Sequence, residues 1–303
     1  MPTRGSHSKV GQNSLQSALV RTALADPEPR PETEAYTAHL ADRLVATLRI
    51  QPPPELSSQG LTVIDFCTGT GCIALDLYGR IRRAFPSMPL RVRGVDISPA
   101  AVTLARQNLA RNIRLNHLPA DGDSGSTSPP VQFSLGDIFS SELTTRLLGS
   151  ERRWDVMVSN PPYISRRGFA LNTARSVRNW EPRTALVPKS GDGEEFVERG
   201  CEPEDVFYAR LLEIAALLKP KTMLFEVADM EQAIRVVQMA KSIRQGILEP
   251  GRALDPSCVE IWKDTITSDT EIVRVGNYDV IVRGTGHGRS VYISMNSETL
   301  GST

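Results

Sequence analysis

A short run of unusual residues ends the fourth predicted strand. It reads Asn160-Pro161-Pro162-Tyr163 and follows an apolar segment at residues 155–159. Each proline removes a backbone N–H donor and stiffens the chain, so the carbonyl groups of Asn160 and Pro161 can face a ligand. Together with the Asn160 side-chain oxygen, they could hold a planar NH2 group stacked on Tyr163. The alternative is an ordinary Pro-Pro turn, but this combination at a strand end favours a corner that binds a flat nitrogen group.

A glycine-containing loop follows the first predicted strand, Leu61–Phe66. Its residues are Cys67, Thr68, Gly69, Thr70 and Gly71. Two glycines allow a tight turn and let a ligand approach the backbone without a Cβ in the way. The start of the following helix offers unpaired N–H groups. The NAD-type glycine pattern is incomplete here, and a purely structural turn is the alternative.

Acidic residues follow the second and third predicted strands. Asp96 follows the strand at residues 90–95, where a carboxylate can accept hydrogen bonds from both hydroxyls of a ribose. The alternative is a cap for the next helix. Asp137 and Ile138 follow the strand at 131–135, where an acid can accept from an adenine amino group while its apolar neighbour packs on the ring. A turn aspartate followed by core residues is the alternative. With the glycine loop, these residues predict a ligand that contains a nucleoside.

The elements that must position these residues alternate between strands and helices. Further β segments are predicted at residues 223–227, 259–262 and 289–293. Helices are predicted at 33–49, 72–83, 99–112, 209–218 and 231–243. This alternation indicates a largely parallel sheet covered on both faces, with its ligand site beyond the carboxyl ends of the strands.

Two segments fall outside this pattern. Residues 1–25 contain basic residues and serines but no acid, which is typical of a transit peptide or of a disordered tail. Residues 121–130 are rich in glycine, serine and proline and predict a flexible surface insertion.

The amino-acid composition argues against several classes of function. The chain has 303 residues, and its 35 basic and 35 acidic side chains cancel, which argues against a whole-surface attraction to nucleic acid but allows a local basic patch. Apolar runs fall short of the roughly 20 residues that span a bilayer. Neither metal-finger spacing nor the cysteine density of a secreted scaffold occurs, so we expect free thiols in a reducing compartment. The cysteines are Cys67, Cys72, Cys201 and Cys258. The histidines, which we expect at the surface, are His7, His39, His117 and His287.

The strand-end motifs resemble the Asn-Pro-Pro-Tyr class of S-adenosylmethionine-dependent methyltransferases, which act on planar nitrogens. Within that class the resemblance narrows to the release factor glutamine methyltransferase (HemK/PrmC) family and to its eukaryotic mitochondrial members. The likeness covers about residues 26–295. The matching segments are 29–34, 65–75, 136–137, 160–163, 181–186 and 191–193, with Glu226 and Gln232.

The resemblance implies an α/β fold, with a seven-stranded Rossmann-like class I methyltransferase sheet that ends in a C-terminal antiparallel hairpin. It divides the chain into a tail at 1–25, a short N-terminal helical lead-in at 26–55 and a methyltransferase domain at 56–303. S-adenosyl-L-methionine is the implied cofactor, and no metal is expected. The implied cofactor contacts are residues 67–71, Asp96, Asp137, Ile138 and Asn160. Residues 160–163 would bind the substrate, with Asn160, Pro161 and Tyr163 catalytic.

The implied reaction is N5-methylation of a glutamine side chain, that of the Gly-Gly-Gln sequence of a peptide chain release factor. The amide nitrogen would attack the methyl group directly, with most of the gain from alignment and no strong general base. We expect a monomer with no membrane association and no strong direct nucleic-acid binding. A mitochondrial location is expected, with the cytoplasm as the alternative.

The chain departs from the family in two places. The family has a helical amino-terminal domain that helps to recognise the release factor, and little of this sequence precedes Pro29. A charged stretch at 194–205 follows the Gly191-Asp192-Gly193 turn, and we expect a solvated loop there in preference to a specificity element.

Two other functions remain as alternatives. The first is an N6-adenine or N2-guanine methyltransferase on nucleic acid, which needs a target-recognition domain or a basic face. The second is a non-catalytic protein partner, against which the intact Asp96 and 160–163 motif argue.

Overall fold

The computed structural model describes residues 31–50, 60–119, 129–150, 154–171, 182–242 and 259–295. The predicted tail at 1–25, most of the 121–130 insertion, His7, Glu181 and Cys258 lie outside these ranges.

The described residues form a single mixed sheet whose strand order is β3-β2-β1-β4-β5-β7-β6. The strands are β1 Leu61–Phe66, β2 Leu90–Asp96, β3 Val131–Leu135, β4 Val156–Ser159, β5 Thr222–Glu226, β6 Val259–Val275 and β7 Tyr278–Ser294. The first five strands pair in parallel, while β7 runs antiparallel to both β5 and β6. The predicted α/β class, with seven strands and a terminal hairpin, is therefore confirmed.

Helices cover both faces of this sheet. They are α1 Pro31–Ile50, α2 Cys72–Ala84, α3 Pro99–Arg114, α4 Ser141–Ser150, α5 Arg166–Leu171, α6 Glu194–Glu198, α7 Val206–Leu218 and α8 Met230–Ser242, with a 3-10 turn at Arg183–Ala185. Every residue of β1 is buried, as expected for a central parallel strand with helices on both sides. One core cluster lies under α7 and α8, and the other lies under α1, α2 and α3.

The terminal hairpin is longer than the sequence pattern predicted, because β6 and β7 have 17 residues each. Glu260, Ile261 and Trp262 each pair with two stretches of β7, since the hairpin folds back on itself. Residues 268–272 of β6 are all exposed, which removes the alternation that identifies a half-buried strand, whereas Val275, Val280 and Val282 near the turn are buried.

Helix α1 packs directly on the sheet. Its buried side chains include Tyr36, Leu40 and Ala41. The Arg43 guanidinium donates to both oxygens of Glu260 at 2.8 Å and lies 4.4 Å from the centre of the Tyr292 ring. The separation of residues 26–55 from residues 56–303 stays a prediction, although these contacts join α1 closely to the sheet.

Two expected absences concern only the described residues. None of the helices among them is both long and apolar enough to cross a bilayer. Within the same ranges, no group of three or more His, Cys, Asp or Glu side chains is placed to hold a metal ion.

Candidate active site

The sheet brings the predicted motifs to one edge. Phe66 of β1 pairs with Val95 of β2 and with Ser159 of β4. Cys67 and Asn160 directly follow β1 and β4, and Asp96 is the last residue of β2. The three residues therefore lie at the ends of three adjacent strands. A hydrogen bond of 2.8 Å from the Ser159 hydroxyl to the Phe66 carbonyl fixes the two central strands at this point.

The glycine loop, residues 67–71, places one open position at this edge. Gly69 has a φ of 54°, and a Cβ built there would meet no atom within 4 Å. By contrast, a Cβ at Gly71 would approach the Phe133 ring to 2.8 Å. Gly71 is thus required by packing and by its φ of 81° at the start of α2, whereas Gly69 leaves room for a ligand against the backbone.

Asp96 organises this loop. One of its carboxylate oxygens accepts from the Gly69 N–H and the other from the Ser98 N–H, both at 2.8 Å. The cap of the next helix is Ser98, whose hydroxyl accepts from the Ala101 N–H at 3.3 Å. The helix-cap alternative for Asp96 is therefore wrong. Each carboxylate oxygen retains a lone pair for another donor, so the ribose assignment stays a prediction.

Asp137 and Ile138 lie at the end of β3. Asp137 is exposed, and one of its oxygens accepts from the Phe139 N–H at 3.0 Å. Ile138 is buried in the core, and its carbonyl accepts from Arg210 at 2.7 Å. These contacts agree with the alternative of a turn aspartate followed by a core residue. The proposed contacts of this pair with an adenine ring stay a prediction.

Asp65 is a buried acid beside the glycine loop, within the 65–75 segment that resembles the family but outside the predicted cofactor contacts. Thr68 donates to its carboxyl group at 2.6 Å, and burial, reinforced by the nearby Asp96 charge, raises its pKa to about 7. Burial also raises the pKa of the Cys67 thiol well above its usual range and that of Cys72 to about 11. Both thiols are thus protonated at neutral pH, which argues against a thiolate nucleophile here.

The loop of residues 160–163 follows β4. Pro161, Pro162 and Tyr163 are buried, while Asn160 is half-buried. Within the described ranges, the Asn160 side chain makes no hydrogen bond. It therefore keeps its acceptor and donors available at the edge where the glycine loop ends.

Tyr163 is held from both ends. Its hydroxyl donates to the Glu226 carboxylate at 2.8 Å, and its carbonyl accepts from the Gln232 side chain at 3.2 Å. Only 7% of Tyr163 is exposed, so its ring offers little free surface. The predicted stacking of a substrate amide on this ring stays a prediction, whereas the contacts that are present hold the loop in position.

Comparison with known proteins agrees with this geometry. A Schizosaccharomyces pombe protein named "Probable MRF1 mitochondrial N(5)-glutamine methyltransferase mtq1" is 31% identical over 208 residues, which is 68% of this chain and 57% of that protein. The release factor glutamine methyltransferase of Chlorobaculum tepidum is 32% identical over 163 residues, 54% of this chain and 46% of its own length. The resemblance to release factor glutamine methyltransferases is confirmed.

These alignments span about half the length of the relatives. No protein-family model matches the chain. A crystal structure of the hMettl16 catalytic domain in complex with the MAT2A 3'UTR hairpin 1 superposes with a TM-score of 0.50 at 13% identity, over 94% of this chain and 79% of that one. At that identity the match shows a shared methyltransferase fold and nothing about substrate.

The segment after the Gly191-Asp192-Gly193 turn is more ordered than expected. Within 194–205, α6 buries Phe196, and Asp205 is only 1% exposed. Asp205 accepts from Gln232 at 2.8 Å and forms an ion pair with Arg235. The expectation of a solvated loop is wrong for these two residues, because an apolar side chain and a paired acid anchor the charged run.

Two histidines, His39 and His117, depart from the surface expectation because both are half-buried. His39 is half-buried, with its ring edge-on to Trp262 at 4.6 Å between centroids. Burial and the neighbouring Arg43 lower its pKa to about 4, so it is neutral at physiological pH. His117 bonds to the Asn112 side chain at 3.1 Å. His39, His117 and His287 all lie outside the four strand ends that carry the site motifs.

A local basic cleft lies beside the 160–163 loop. Its volume is about 310 Å³, and its described lining includes Arg166, Arg183 and Lys189 and no acidic residue. The Ile164 N–H donates to the Leu186 carbonyl at 2.8 Å, which joins the cleft wall to the loop. The chain thus carries the kind of local basic patch that a zero net charge allows.

Proposed function

We propose that this chain methylates the side-chain nitrogen of a glutamine in a peptide chain release factor, with S-adenosyl-L-methionine as methyl donor. The observation that carries the proposal is the Asn160 side chain, which has no hydrogen-bond partner among the described residues and lies on a proline-stiffened loop beside the glycine loop. The relatives named as release factor glutamine methyltransferases support the substrate class.

The residues at the strand ends fit the cofactor. Gly69 leaves space at its Cβ position, and Asp96 presents a carboxylate at the next strand end. When bound, S-adenosylmethionine supplies a methyl group on a positively charged sulfur, which is already a strong electrophile. The chain's own task is therefore to bind, align and desolvate the poor partner, an amide nitrogen.

Asn160 and Pro161 would perform that alignment. Their oxygens can accept from the NH2 of the substrate amide and orient its nitrogen towards the cofactor side of the site. Because both prolines are buried, the acceptors are held before the substrate arrives. Such preorganisation lowers the barrier through orientation, and no side-chain base is needed while the nitrogen attacks.

The direct test is methylation of a release factor that contains Gly-Gly-Gln, with isotopically labelled cofactor and mass spectrometry of the peptide. We expect one added CH2 on the glutamine of that sequence. A substrate whose glutamine is replaced by asparagine serves as the control and stays unmodified. Label on another residue, or no label on the release factor, would overturn the substrate assignment.

The nucleic-acid alternative is tested in the same assay. The equal numbers of basic and acidic side chains argue against a whole-surface attraction to nucleic acid, and a shared fold with an RNA-bound methyltransferase domain says nothing about substrate. We therefore expect no transfer to RNA or DNA. Labelled oligonucleotide would support the alternative.

A mitochondrial location is part of the proposal. It is supported by the name of the Schizosaccharomyces pombe relative and by the acid-free composition of residues 1–25. Fluorescent fusion of the full chain in cells tests it, and exclusion from mitochondria would contradict it.

A further inference from the structure

Glu226 is a buried acid at the end of β5, next to the 160–163 loop. Ser159 of β4 pairs with Phe225 of β5, so Asn160 and Glu226 lie side by side at the ends of these adjacent strands. Glu226 is only 1% exposed. A carboxylate removed from water must be compensated by partners in the protein.

Among the described residues, the hydrogen bonds to this carboxylate all come from hydroxyl groups. Tyr163 donates to Oε1 at 2.8 Å. Thr33 and Tyr36 of α1 donate to Oε2 at 2.9 Å and 2.5 Å. Among the described residues, no salt bridge reaches Glu226. One oxygen therefore binds the substrate loop, and the other binds the lead-in helix.

The electrostatics agree with this geometry. Burial and the Glu226 charge raise the pKa of Tyr36 well above its ordinary value, so its phenol remains a donor. Hydrogen bonds to an ionised acceptor are shorter and stronger than neutral ones. The carboxylate thus holds Tyr163 more rigidly than a neutral acceptor would.

We propose that Glu226 is the positioning residue for the 160–163 loop, and that Thr33 and Tyr36 of α1 complete this function. The inference rests on the proposed function for its kinetic consequence, since alignment of the acceptor nitrogen depends on the position of this loop. In this proposal the Tyr163 hydroxyl holds the loop through its hydrogen bond to Glu226. Helix α1 then contributes to the position of the active-site loop as well as to packing.

A matched pair of variants separates this role from simple docking of α1. Thr33 and Thr37 are both buried, one turn apart on the same helix. The Thr37 hydroxyl donates to the Thr33 carbonyl at 2.6 Å, and it is not one of the hydroxyl groups that donate to Glu226. Thr33→Val and Thr37→Val each remove one buried hydroxyl, but only Thr33→Val removes a hydrogen bond to Glu226.

We expect Thr33→Val and Tyr36→Phe each to lower kcat about tenfold, the equivalent of one hydrogen bond to a charged group, with an unchanged cofactor Kd. Thr37→Val should stay within about twofold of the wild-type kcat, on the same scale. Glu226→Gln should retain more activity than Glu226→Ala because it keeps one acceptor oxygen. Equal kcat losses in Thr33→Val and Thr37→Val would overturn the proposal.

Hydrogen exchange of the loop gives a readout that needs no activity. Amides of Tyr163, Ile164 and Ser165 should exchange faster in Thr33→Val and Tyr36→Phe, and at the wild-type rate in Thr37→Val. If the loop responds in this way but wild-type protein methylates no release factor, the proposed substrate fails and the positioning role stands. If the release factor is methylated and loop exchange is the same in both threonine variants, the positioning role fails alone.

Discussion

Replacing Asp96 by alanine separates cofactor binding from loop stability. The carboxylate accepts from the Gly69 and Ser98 N–H groups and, in the proposed complex, from the two ribose hydroxyls. A hydrogen bond to a charged group contributes about 1.5–3 kcal/mol, and paired bonds are not additive. Loss of the ribose contacts should therefore cost about 3 kcal/mol, or roughly a hundredfold in cofactor Kd.

The same change also affects the free protein. Gly69 N and Ser98 N lose their acceptor, but Asp96 is half-buried and water can replace part of the loss. We expect the free energy of unfolding to fall by about 1–2 kcal/mol. Calorimetric titration with S-adenosylmethionine measures the Kd, and urea unfolding without ligand measures the stability.

Ser98→Ala is the control for the Asp96 experiment. It removes the helix cap on Ala101, which should cost about 1 kcal/mol of stability, but it leaves the Asp96 carboxylate in place. Its cofactor Kd should stay close to that of the wild-type protein. The ribose assignment is refuted if Asp96→Ala weakens binding no more than Ser98→Ala does, because the carboxylate would then serve the loop alone.

Three further predictions concern the same edge of the sheet. Asn160→Ala should lower kcat by at least about a hundredfold with a cofactor Kd within about threefold of wild type; wild-type turnover would refute the acceptor role. Gly69→Ala should fold with a loss of about 1 kcal/mol but bind the cofactor weakly, whereas Gly94→Ala should unfold readily because its Cβ would lie 2.4 Å from the Phe133 ring; calorimetry and thermal melts distinguish the two. Asp65 has a pKa raised to about 7 in the folded state, so it binds a proton that the unfolded chain has already released. The contribution of Asp65 to stability should therefore fall as pH rises from about 4 to about 7, and the urea midpoint should change less unfavourably between pH 5 and pH 8 in Asp65→Asn than in the wild-type protein; equal changes would contradict the raised pKa.

The central sheet could be predicted because its signal is local. Strands such as Leu61–Phe66 are continuous apolar runs bounded by glycine or acidic residues, and the structure gives that strand the same bounds. Helix α4 was missed although Leu143 and Leu147 lie one turn apart and are both buried, because its 10 residues give only a short pattern, and α6 has only five residues. The middle of β6 was missed because residues 268–272 are all exposed and carry no alternating pattern.

The residues of the site also fall into a group that sequence patterns predict and a group that they do not. Residues at the strand ends were found because motif and element lie within a few positions of one another. The partners of Glu226 could not be found in this way, since Tyr36 lies 190 positions away in the sequence and Tyr163 lies 63 positions away. The burial of His39 against Trp262 could not be predicted for the same reason, because only the folded hairpin brings the Trp262 ring to α1.

The sheet order gives the two acids parallel roles. Asp96 ends β2 and Glu226 ends β5, and these strands flank the central pair β1 and β4. Asp96 accepts from Gly69 in the loop after β1, while Glu226 accepts from Tyr163 in the loop after β4. Each outer strand thus supplies a carboxylate that fixes the loop of its inner neighbour. Because one loop would hold the cofactor and the other the acceptor amide, changes at Asp96 should appear mainly in cofactor Kd and changes at Glu226 mainly in kcat. A variant at either acid that changed both quantities equally would show that the two loops move as one unit.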